Sequence, residues 1–588
     1  MSIFDVLALF GGLALFLFGM NVMGDGLTRA AGGKMERILE KLTSTPIKGV
    51  LLGAAVTAVI QSSSATTVMV VGFVNSGIMK LRQAVGIIMG ANIGTTVTSW
   101  ILSLSGIQGD SIWIQMLKPS SFSPILAVIG IAFLMFSKNE KKHDIGMIFL
   151  GFTILMYGMD AMSGAVAPLA DVPEFANVLL MFSNPVLGMI VGTLFTAIIQ
   201  SSSASVGILQ ALCMTGAVTY GTALPIIMGQ NIGTCVTALL SSIGAKKNAK
   251  RAAFVHLYFN LIGTILFMIV FYSINAFVNF GVLQDMATPA GIAVIHSIFN
   301  ILTTIVLLPF GKGLEKLATL TIREKEEPVE EIAELVPLKH LDARFLEQPA
   351  FAVTQSMDVM NQMAGYSAEA LYDSLELMKD YSDEKWKRVE VLEDIVDKYE
   401  DELGTYLAKV SGKELAEEDS KRVSNGLHCI GDLERISDHA LAIAEIYAKM
   451  YKEEMVFSDK AMAELNLYSN AVYEIMSMTC KALNEDDMKI AKRIEPLEEV
   501  INGLNATIKK QHIKRLQKGK CTIELGIALE NLLNNYERVA DHCSNVAASL
   551  LQVKTDSFDM HEYLNRVKQE SNVEFQAMYS MYKEKYSL

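Results

Sequence analysis

The feature that most constrains the fold of this chain is an internal repeat with one constant offset. Residues 61–66 (QSSSAT) match residues 200–205 (QSSSAS), and residues 87–95 (IIMGANIGT) match residues 226–234 (IIMGQNIGT). Both pairs are separated by 139 residues, and so is a further match of FGMN with YGMD. A register that is kept without a gap over so long a stretch indicates duplicated structure rather than chance similarity.

The repeats lie in the apolar half of the chain. Residues 1–310 carry fifteen Lys or Arg and eleven Asp or Glu, a net charge of +4, whereas the remainder carries 35 and 52, a net charge of −17. Apolar stretches in the first half are long enough, with their flanks, to cross the ~30 Å of a bilayer's hydrocarbon. We expect an all-α fold with three parts: a transmembrane domain (1–312, with repeats over about 1–105 and 144–245), a charged linker (313–344) and a soluble helical bundle (345–588).

The orientation of the two repeats depends on the segments that contain the Gln-Ser-Ser-Ser sequences. Each segment is apolar on both sides of a polar centre. If each is a re-entrant hairpin, three spans separate the repeat starts and the second copy is inverted. Fourteen basic residues then fall on the cytoplasmic side and only Lys118 falls outside, whereas full spans would give parallel repeats and divide the basic loops. We therefore expect seven crossings, two hairpins that meet near the midplane, an outside N-terminus and a cytoplasmic C-terminal domain.

The polar hairpin tips are the candidate site. Hydroxyl and amide groups deep in an apolar segment carry a desolvation cost, so they need partners. The N-terminus of a returning half-helix, with serine hydroxyls beside it, suits an oxyanion, and the same oxygens suit Na+. No Lys or Arg lies inside a predicted span, so sodium is the expected source of compensating charge.

A second motif, Gly-x-Asn-Ile-Gly-Thr, follows each polar tip. Its glycines weaken a helix on each side of the asparagine, which predicts a break that frees carbonyl groups beside the site. On this basis we assign four side chains to the ion and substrate shell: Asn92, Thr95, Asn231 and Thr234. The alternative is that the small and hydroxylated residues only let membrane helices approach closely.

The paired Gln-Ser-Ser-Ser segments resemble those of the type II sodium/phosphate cotransporter family in its bacterial form, over about residues 1–310. The resemblance implies phosphate and sodium contacts at the eight motif positions, with an extension to Thr66 and Thr67. The eight positions are Gln61, Ser62, Ser63, Ser64, Gln200, Ser201, Ser202 and Ser203. Repeat 2 departs from this pattern at Ser205 and Val206, so one sodium position of repeat 1 lacks an equivalent there.

The acidic C-terminal half contains a repeat of its own. Residues 432–440 (DLERISDHA) recur as residues 535–543 (NYERVADHC), which predicts two similar three-helix units. The sequence over about 345–580 resembles PhoU-type phosphate regulators, whose Glu-x-x-x-Asp motifs hold metal ions. Carboxylates spaced four residues apart share a helix face and suit a divalent or iron-type metal.

The candidate metal ligands are divided unequally between the two units. They are Glu393, Asp397, Glu434 and Asp438 in the first unit, and Glu498, Glu537 and Asp541 in the second. Asn502 stands where the second unit would have its fourth carboxylate. The alternative is that these residues form a solvated acidic face paired with neighbouring arginines.

Taken together, the motifs and the two resemblances imply a non-enzymatic, sodium-dependent phosphate symporter of a bacterial cell membrane, with a cytoplasmic regulatory domain that binds partner proteins or mediates oligomerisation. A nucleic-acid partner is not expected. A membrane-anchored phosphate-signalling protein and a sodium-coupled transporter of another oxyanion remain alternatives. An enzyme acting at the acidic helices is disfavoured, because no nucleophile and base accompany the carboxylates. No Walker-type phosphate loop occurs, so the sequence offers no means of driving transport by ATP hydrolysis.

Overall fold

The computed structural model describes residues 3–31, 45–107, 111–169, 181–323, 332–554 and 573–588. It divides into two compact units, residues 1–329 and 330–588. Within the described residues the regular structure is helical and contains no β-strand, which confirms the all-α prediction.

The first unit is built from long helices that alternate with shorter ones. In chain order they are α1 (Ile3–Ala31), α2 (Pro46–Ile60), α3 (Ser63–Ser76), α4 (Leu81–Ser103), α5 (Ile112–Leu117), α6 (Pro119–Phe136), α7 (Glu140–Val166), α8 (Pro185–Ile199), α9 (Ser202–Cys213), α10 (Tyr220–Ser241), α11 (Lys247–Val278), α12 (Pro289–Leu307) and α13 (Gly311–Thr321). Among the described residues, seven helical segments are long and apolar enough to cross a membrane, which matches the number of predicted crossings. The segments are 3–30, 81–106, 119–136, 140–166, 220–241, 247–278 and 289–321.

The contact between α1 and α7 shows how the repeats are related. A Cβ atom on Gly19 would lie 2.3 Å from the Leu155 nitrogen, and one on Gly158 would lie 2.4 Å from the Phe16 nitrogen. Gly19 and Gly158 are repeat equivalents, and so are Phe16 and Leu155, so the contact is reciprocal. Reciprocal contacts of this kind are the signature of a two-fold axis.

The direction of that axis follows from the register of the same two helices. Gly12 of α1 lies against Met162 of α7, and Met23, further along α1, lies against Gly151, earlier in α7. The helices are therefore antiparallel, and only an axis perpendicular to both of them exchanges them. For helices that cross a membrane such an axis lies in the membrane plane, so the repeats have the inverted relation that the sequence predicts.

Glycines bring the short helices against the long ones within each repeat. A Cβ atom on Gly90 of α4 would lie 2.0 Å from the Val50 carbonyl oxygen of α2. A Cβ atom on its repeat equivalent, Gly229 of α10, would lie at the same 2.0 Å from the Met189 carbonyl oxygen of α8. Only glycine allows so close a backbone approach, and it does so at the same place in both repeats.

Over its described residues, the second unit is a bundle of six long helices with two shorter ones. They are α14 (Pro349–Glu376), α15 (Asp383–Ser411), α16 (Glu417–Lys452), α17 (Asp459–Glu485), α18 (Met488–Ala491), α19 (Ile494–Gln517), α20 (Ile523–Lys554) and α21 (Val573–Lys585). Tyr447 of α16 and Tyr536 of α20 share a buried hydrogen bond of 2.9 Å between their hydroxyl groups. The pairing links the two three-helix groups that the sequence repeat predicts.

Part of the predicted linker is structured. Residues 333–340 and 343–347 form short 3-10 helices. Tyr399 donates a hydrogen bond to the Glu334 carbonyl oxygen (2.7 Å), and Phe345 is buried. Burial of this apolar side chain helps to hold the segment on the bundle. The most charged part of the linker, residues 324–331, lies outside the described residues.

Candidate functional site

The first polar tip is a tight reversal between α2 and α3. Gln61 ends α2 in the left-handed conformation (φ 59°), and its backbone N–H donates to the Thr57 carbonyl oxygen at 2.8 Å. Ser62 then caps α3, since its hydroxyl accepts a hydrogen bond from the Ala65 N–H at 3.1 Å. The serine run thus begins a new helix, because serine is a preferred N-cap residue.

The second tip, between α8 and α9, repeats this geometry. Gln200 has the same φ of 59° and donates its backbone N–H to the Thr196 carbonyl oxygen at 2.7 Å. Ser201 caps α9 by accepting from the Ala204 N–H at 3.2 Å. A non-glycine residue in the left-handed region is uncommon, so its occurrence at both tips indicates a shared, constrained geometry.

A hydroxyl pair holds the two arms of each tip together. Thr57 donates to the Thr66 hydroxyl at 3.0 Å, and Thr196 donates to the Ser205 hydroxyl at 2.8 Å. Sequence reasoning did not single out Thr57 and Thr196, although both precede the motif at the same repeat offset. Extending the aligned block by four residues would have found them.

The two tips meet at Ser63 and Ser202. Their hydroxyl oxygens lie 3.5 Å apart, and both residues are almost fully buried. Because these serines are repeat equivalents, their contact lies on the two-fold axis that relates the repeats. Each is the first residue of its helix, so backbone N–H groups without intrahelical partners and the positive ends of two helix dipoles converge there. Such a pair of helix termini suits an oxyanion.

The tips are not equivalent in detail. Gln61 is buried, and its Oε1 accepts a hydrogen bond from the Thr98 hydroxyl at 3.0 Å, whereas Gln200 is exposed. Thr67 donates to the Ser63 carbonyl oxygen at 2.9 Å, and Val206, its repeat equivalent, has no hydroxyl. Ser64 is half-buried and Ser203 is buried. The two tips of the pseudo-symmetric site therefore differ in which side chains are buried and which are hydrogen-bonded.

The predicted break at the Gly-x-Asn-Ile-Gly-Thr motifs is wrong, because α4 and α10 run through them without interruption. Four hydrogen bonds to the preceding turn engage the side chains there. They are Asn92 to the Ile88 oxygen (3.0 Å), Thr95 to Ala91 (3.0 Å), Asn231 to Ile227 (3.0 Å) and Thr234 to Gln230 (2.9 Å). The glycines serve the close helix contact described above, and the packing gained there outweighs their weak helix propensity. No helix break frees carbonyl groups at these positions, and the assignment of the four side chains to the ion shell stays a prediction.

Three carboxylates of the second unit form a cluster. Glu393 and Asp397 of α15 and Asp438 of α16 each have an oxygen within 4.8 Å of the others. Burial, together with the charges of Asp397 and Asp438, raises the pKa of Glu393 to about 7. Burial and then the neighbouring Asp438 raise the pKa of Glu434 as well. Converging carboxylate oxygens are ligands that hard or borderline cations prefer, so the donor set fits a divalent metal.

The corresponding residues of the second half are engaged differently. Asn502 donates a hydrogen bond to Glu498, and Asn505 donates one to Glu537. Asp541 pairs with Arg538 at 3.3 Å. Amide and guanidinium groups thus contact the second set of carboxylates. The carboxylates of the two halves therefore have different partners, in line with the asparagine at position 502 in place of a fourth carboxylate.

Inverted repeats with polar helix termini that meet inside an apolar helical bundle are characteristic of secondary transporters. The profile of the Na+/Pi-cotransporter family matches residues 15–164 and 170–285, and that of the PhoU domain matches residues 360–447 and 465–550. The chain belongs to the Na+/Pi-cotransporter family and carries a C-terminal PhoU domain. It is a multi-pass membrane protein of a family that transports phosphate.

Similar proteins cover either the whole chain or part of it. The provisionally named inorganic phosphate export protein YjbB of Escherichia coli is 25% identical over 565 residues, which are 95% of this chain and 99% of that protein. The uncharacterized protein YqeW of Bacillus subtilis is 31% identical over 315 residues, 53% of this chain and 97% of its own length. Sodium-dependent phosphate transport protein 2A of Rattus norvegicus is 39% identical over 97 residues, 16% of this chain and 15% of that protein. No solved structure matches the chain significantly.

Proposed function

We propose that the first unit transports inorganic phosphate together with sodium, at one site formed by both polar tips. The observation that carries this proposal is the contact between Ser63 and Ser202, which joins two helix N-termini on the pseudo-two-fold axis. A phosphate oxygen there would accept hydrogen bonds from hydroxyl and backbone N–H groups of both repeats. Family membership, and the phosphate named for the relatives, support this choice of oxyanion.

Sodium has a physical role at such a site. The two tips supply hydroxyl, amide and carbonyl groups, but their sequences contain no Lys or Arg to balance a divalent anion. Moving an uncompensated anion through a low-dielectric interior is strongly unfavourable, so a co-transported cation lowers the barrier. The oxygens of Gln61, Ser64 and Thr67 are candidate sodium ligands. The match to a mammalian protein that is named sodium-dependent supports this role.

Net export is a second candidate for the direction of transport, because the relatives that match over 95% of the chain are named as export proteins. Symport under an inward sodium gradient drives uptake. Export through the same site requires an outward-directed phosphate gradient large enough to overcome the sodium gradient, or outward movement of phosphate without sodium.

Purified protein in proteoliposomes tests coupling and direction together. Radiolabelled phosphate flux is measured with the sodium gradient imposed inward, imposed outward or replaced by potassium. We expect phosphate to accumulate on the side toward which sodium flows. Phosphate flux that does not depend on sodium would contradict the sodium coupling but not phosphate transport. Transport of sulfate in place of phosphate would favour the other-oxyanion alternative. Properly inserted protein without any flux would contradict the proposal and favour the signalling alternative.

We further propose a bacterial cell-membrane location with the N-terminus outside and the PhoU domain in the cytoplasm. The asymmetry of basic residues between the loops supports this orientation. Cysteines introduced near Asp285 should react with impermeant reagents added outside the cell, and cysteines near Lys141 or Lys247 should not. The opposite pattern would reverse the orientation.

For the PhoU domain we propose a regulatory role, with a divalent or iron-type metal held by Glu393, Asp397 and Asp438. The proximity of these carboxylates and the raised pKa of Glu393 support a cation there, because a bound cation relieves their mutual repulsion. A metal would supply a fixed positive charge that joins α15 to α16.

A further inference from the structure

The turn between α19 and α20 has an unusual charge. Residues 509–523, which we call the basic tip, contain six Lys or Arg and no Asp or Glu. They lie in the half of the chain whose net charge is −17. A concentrated positive patch on an acidic domain indicates a specific anionic partner rather than general solubility.

Most of this charge is free to bind a partner. Arg515 is held by Glu464 at 2.7 Å, and Lys509 donates to Asn534 at 2.8 Å. The other four basic side chains of the tip are exposed, namely Lys510, Lys514, Lys518 and Lys520.

Large aliphatic side chains stand exposed beside these lysines. Ile523 is 68% exposed and Ile527 is 57% exposed, one helical turn apart at the start of α20. Ile513 and Leu516, near the end of α19, are exposed as well. Large apolar side chains that stay clustered in contact with water indicate a surface that a partner covers.

The other half of the domain provides an internal comparison. The corresponding turn, between α15 and α16, has two lysines, Lys409 and Lys413, followed by four acidic residues: Glu414, Glu417, Glu418 and Asp419. Among the described residues 403–420 no large apolar side chain is exposed. Both turns join the same kind of helix pair, so the fold requires neither the charge nor the exposed isoleucines of the basic tip.

We propose that the basic tip docks on an anionic lipid surface. Lysines on flexible stems attract lipid phosphates, and aliphatic side chains between them enter the boundary between headgroups and acyl chains. A protein partner fits less well, because protein interfaces are enriched in Tyr, Trp and Arg and depleted in Lys, and the arginine of this tip is already paired. The domain belongs to the same chain as a membrane-embedded unit, so it works in the vicinity of a lipid surface. This proposal does not depend on sodium coupling or on the direction of transport.

The test uses the full chain in nanodiscs with a fluorescent label at one of two matched positions. Gln517 is the exposed last residue of α19, and Ser411 is the exposed last residue of α15. Each is changed to cysteine in a background where Cys480 and Cys521, the two cysteines that are not buried, are serine. Quenching of the label by nitroxide lipids is compared in phosphatidylcholine nanodiscs with and without phosphatidylglycerol.

We expect the label at position 517 to be quenched when phosphatidylglycerol is present, and less so at high salt, while the label at position 411 is not. Each lysine near an anionic surface strengthens docking about fivefold, so K514Q and K518Q together should abolish most of the quenching. Phosphate flux of these variants checks that the chain is folded. The proposal would be overturned by equal quenching at both positions. It would also be overturned if quenching at position 517 changed neither with phosphatidylglycerol nor with the lysine substitutions. If the label at position 517 is not quenched in the presence of phosphatidylglycerol, but an acidic peptide binds the basic tip, then the tip serves a protein partner.

Discussion

Replacing Ser63 or Ser202 by alanine removes one buried hydroxyl and leaves the backbone N–H groups of the tip in place. The contact between the two hydroxyl oxygens, at 3.5 Å, is at the limit of a hydrogen bond, so its loss costs little folding energy. A hydrogen bond to a charged phosphate is worth roughly 1.5–3 kcal/mol. Either variant should therefore need about 10 to 150 times more phosphate for half-maximal uptake.

The assay is phosphate uptake into proteoliposomes over a range of phosphate and sodium concentrations. Ser76→Ala is a matched control, because Ser76 is also a buried serine of α3 but bonds the Phe73 carbonyl oxygen at the far end of the helix. If a tip hydroxyl binds sodium instead, the sodium dependence should shift and phosphate affinity should recover at high sodium.

The double variant tests whether the serines act at one site. Side chains in contact give non-additive effects, so Ser63→Ala with Ser202→Ala should differ from the sum of the single effects. If both single variants are properly inserted and behave like Ser76→Ala in phosphate and sodium dependence, the serines serve packing and the reasoning is refuted.

Three further predictions follow from the helix contacts and the carboxylate cluster. Gly90→Ala or Gly229→Ala should destabilise the protein by about 1–3 kcal/mol in thermal unfolding, since each Cβ meets a carbonyl oxygen at 2.0 Å, while Gly164→Ala, with nothing within 4 Å, should not. Manganese should raise the melting temperature of the wild-type PhoU domain within the full chain but not that of Asp438→Asn. The effect should fade below pH about 7, where Glu393 takes up a proton that competes with the metal; a manganese effect in Asp438→Asn with the same size and pH dependence as in the wild type would exclude the cluster. Deleting residues 332–588 should leave sodium-dependent transport but alter its regulation, and complete loss of transport in a properly folded truncation would contradict a site confined to the first unit.

The sequence predicted the features that depend on periodicity and symmetry. The constant offset indicated duplication, loop charge indicated inversion, and the reciprocal contact between Gly19 and Gly158 and their partners bears out that relation. Prediction from the sequence failed where one residue type serves two physical purposes. Glycine both weakens a helix and permits close packing, so the motif around Asn92 predicted a break where the structure has a continuous helix.

The local asymmetry of the site was also out of reach. Gln61 and Gln200 stand in the same local motif, Ile-Gln-Ser-Ser-Ser-Ala, yet only Gln61 is buried and held by Thr98, 37 residues away. A contact at that separation leaves no periodic signal. The capping role of Ser62 and Ser201, in contrast, follows from the N-cap preference of serine and could have been read from the sequence.

The central claim is that two inverted tips form one phosphate site. Equilibrium binding of radiolabelled phosphate to the purified protein, with and without sodium, tests it most directly. The account predicts one phosphate per chain, sodium-dependent, and weakened to a similar extent by Ser63→Ala and by Ser202→Ala. Two phosphates per chain, each lost with only one of the two variants, would contradict it.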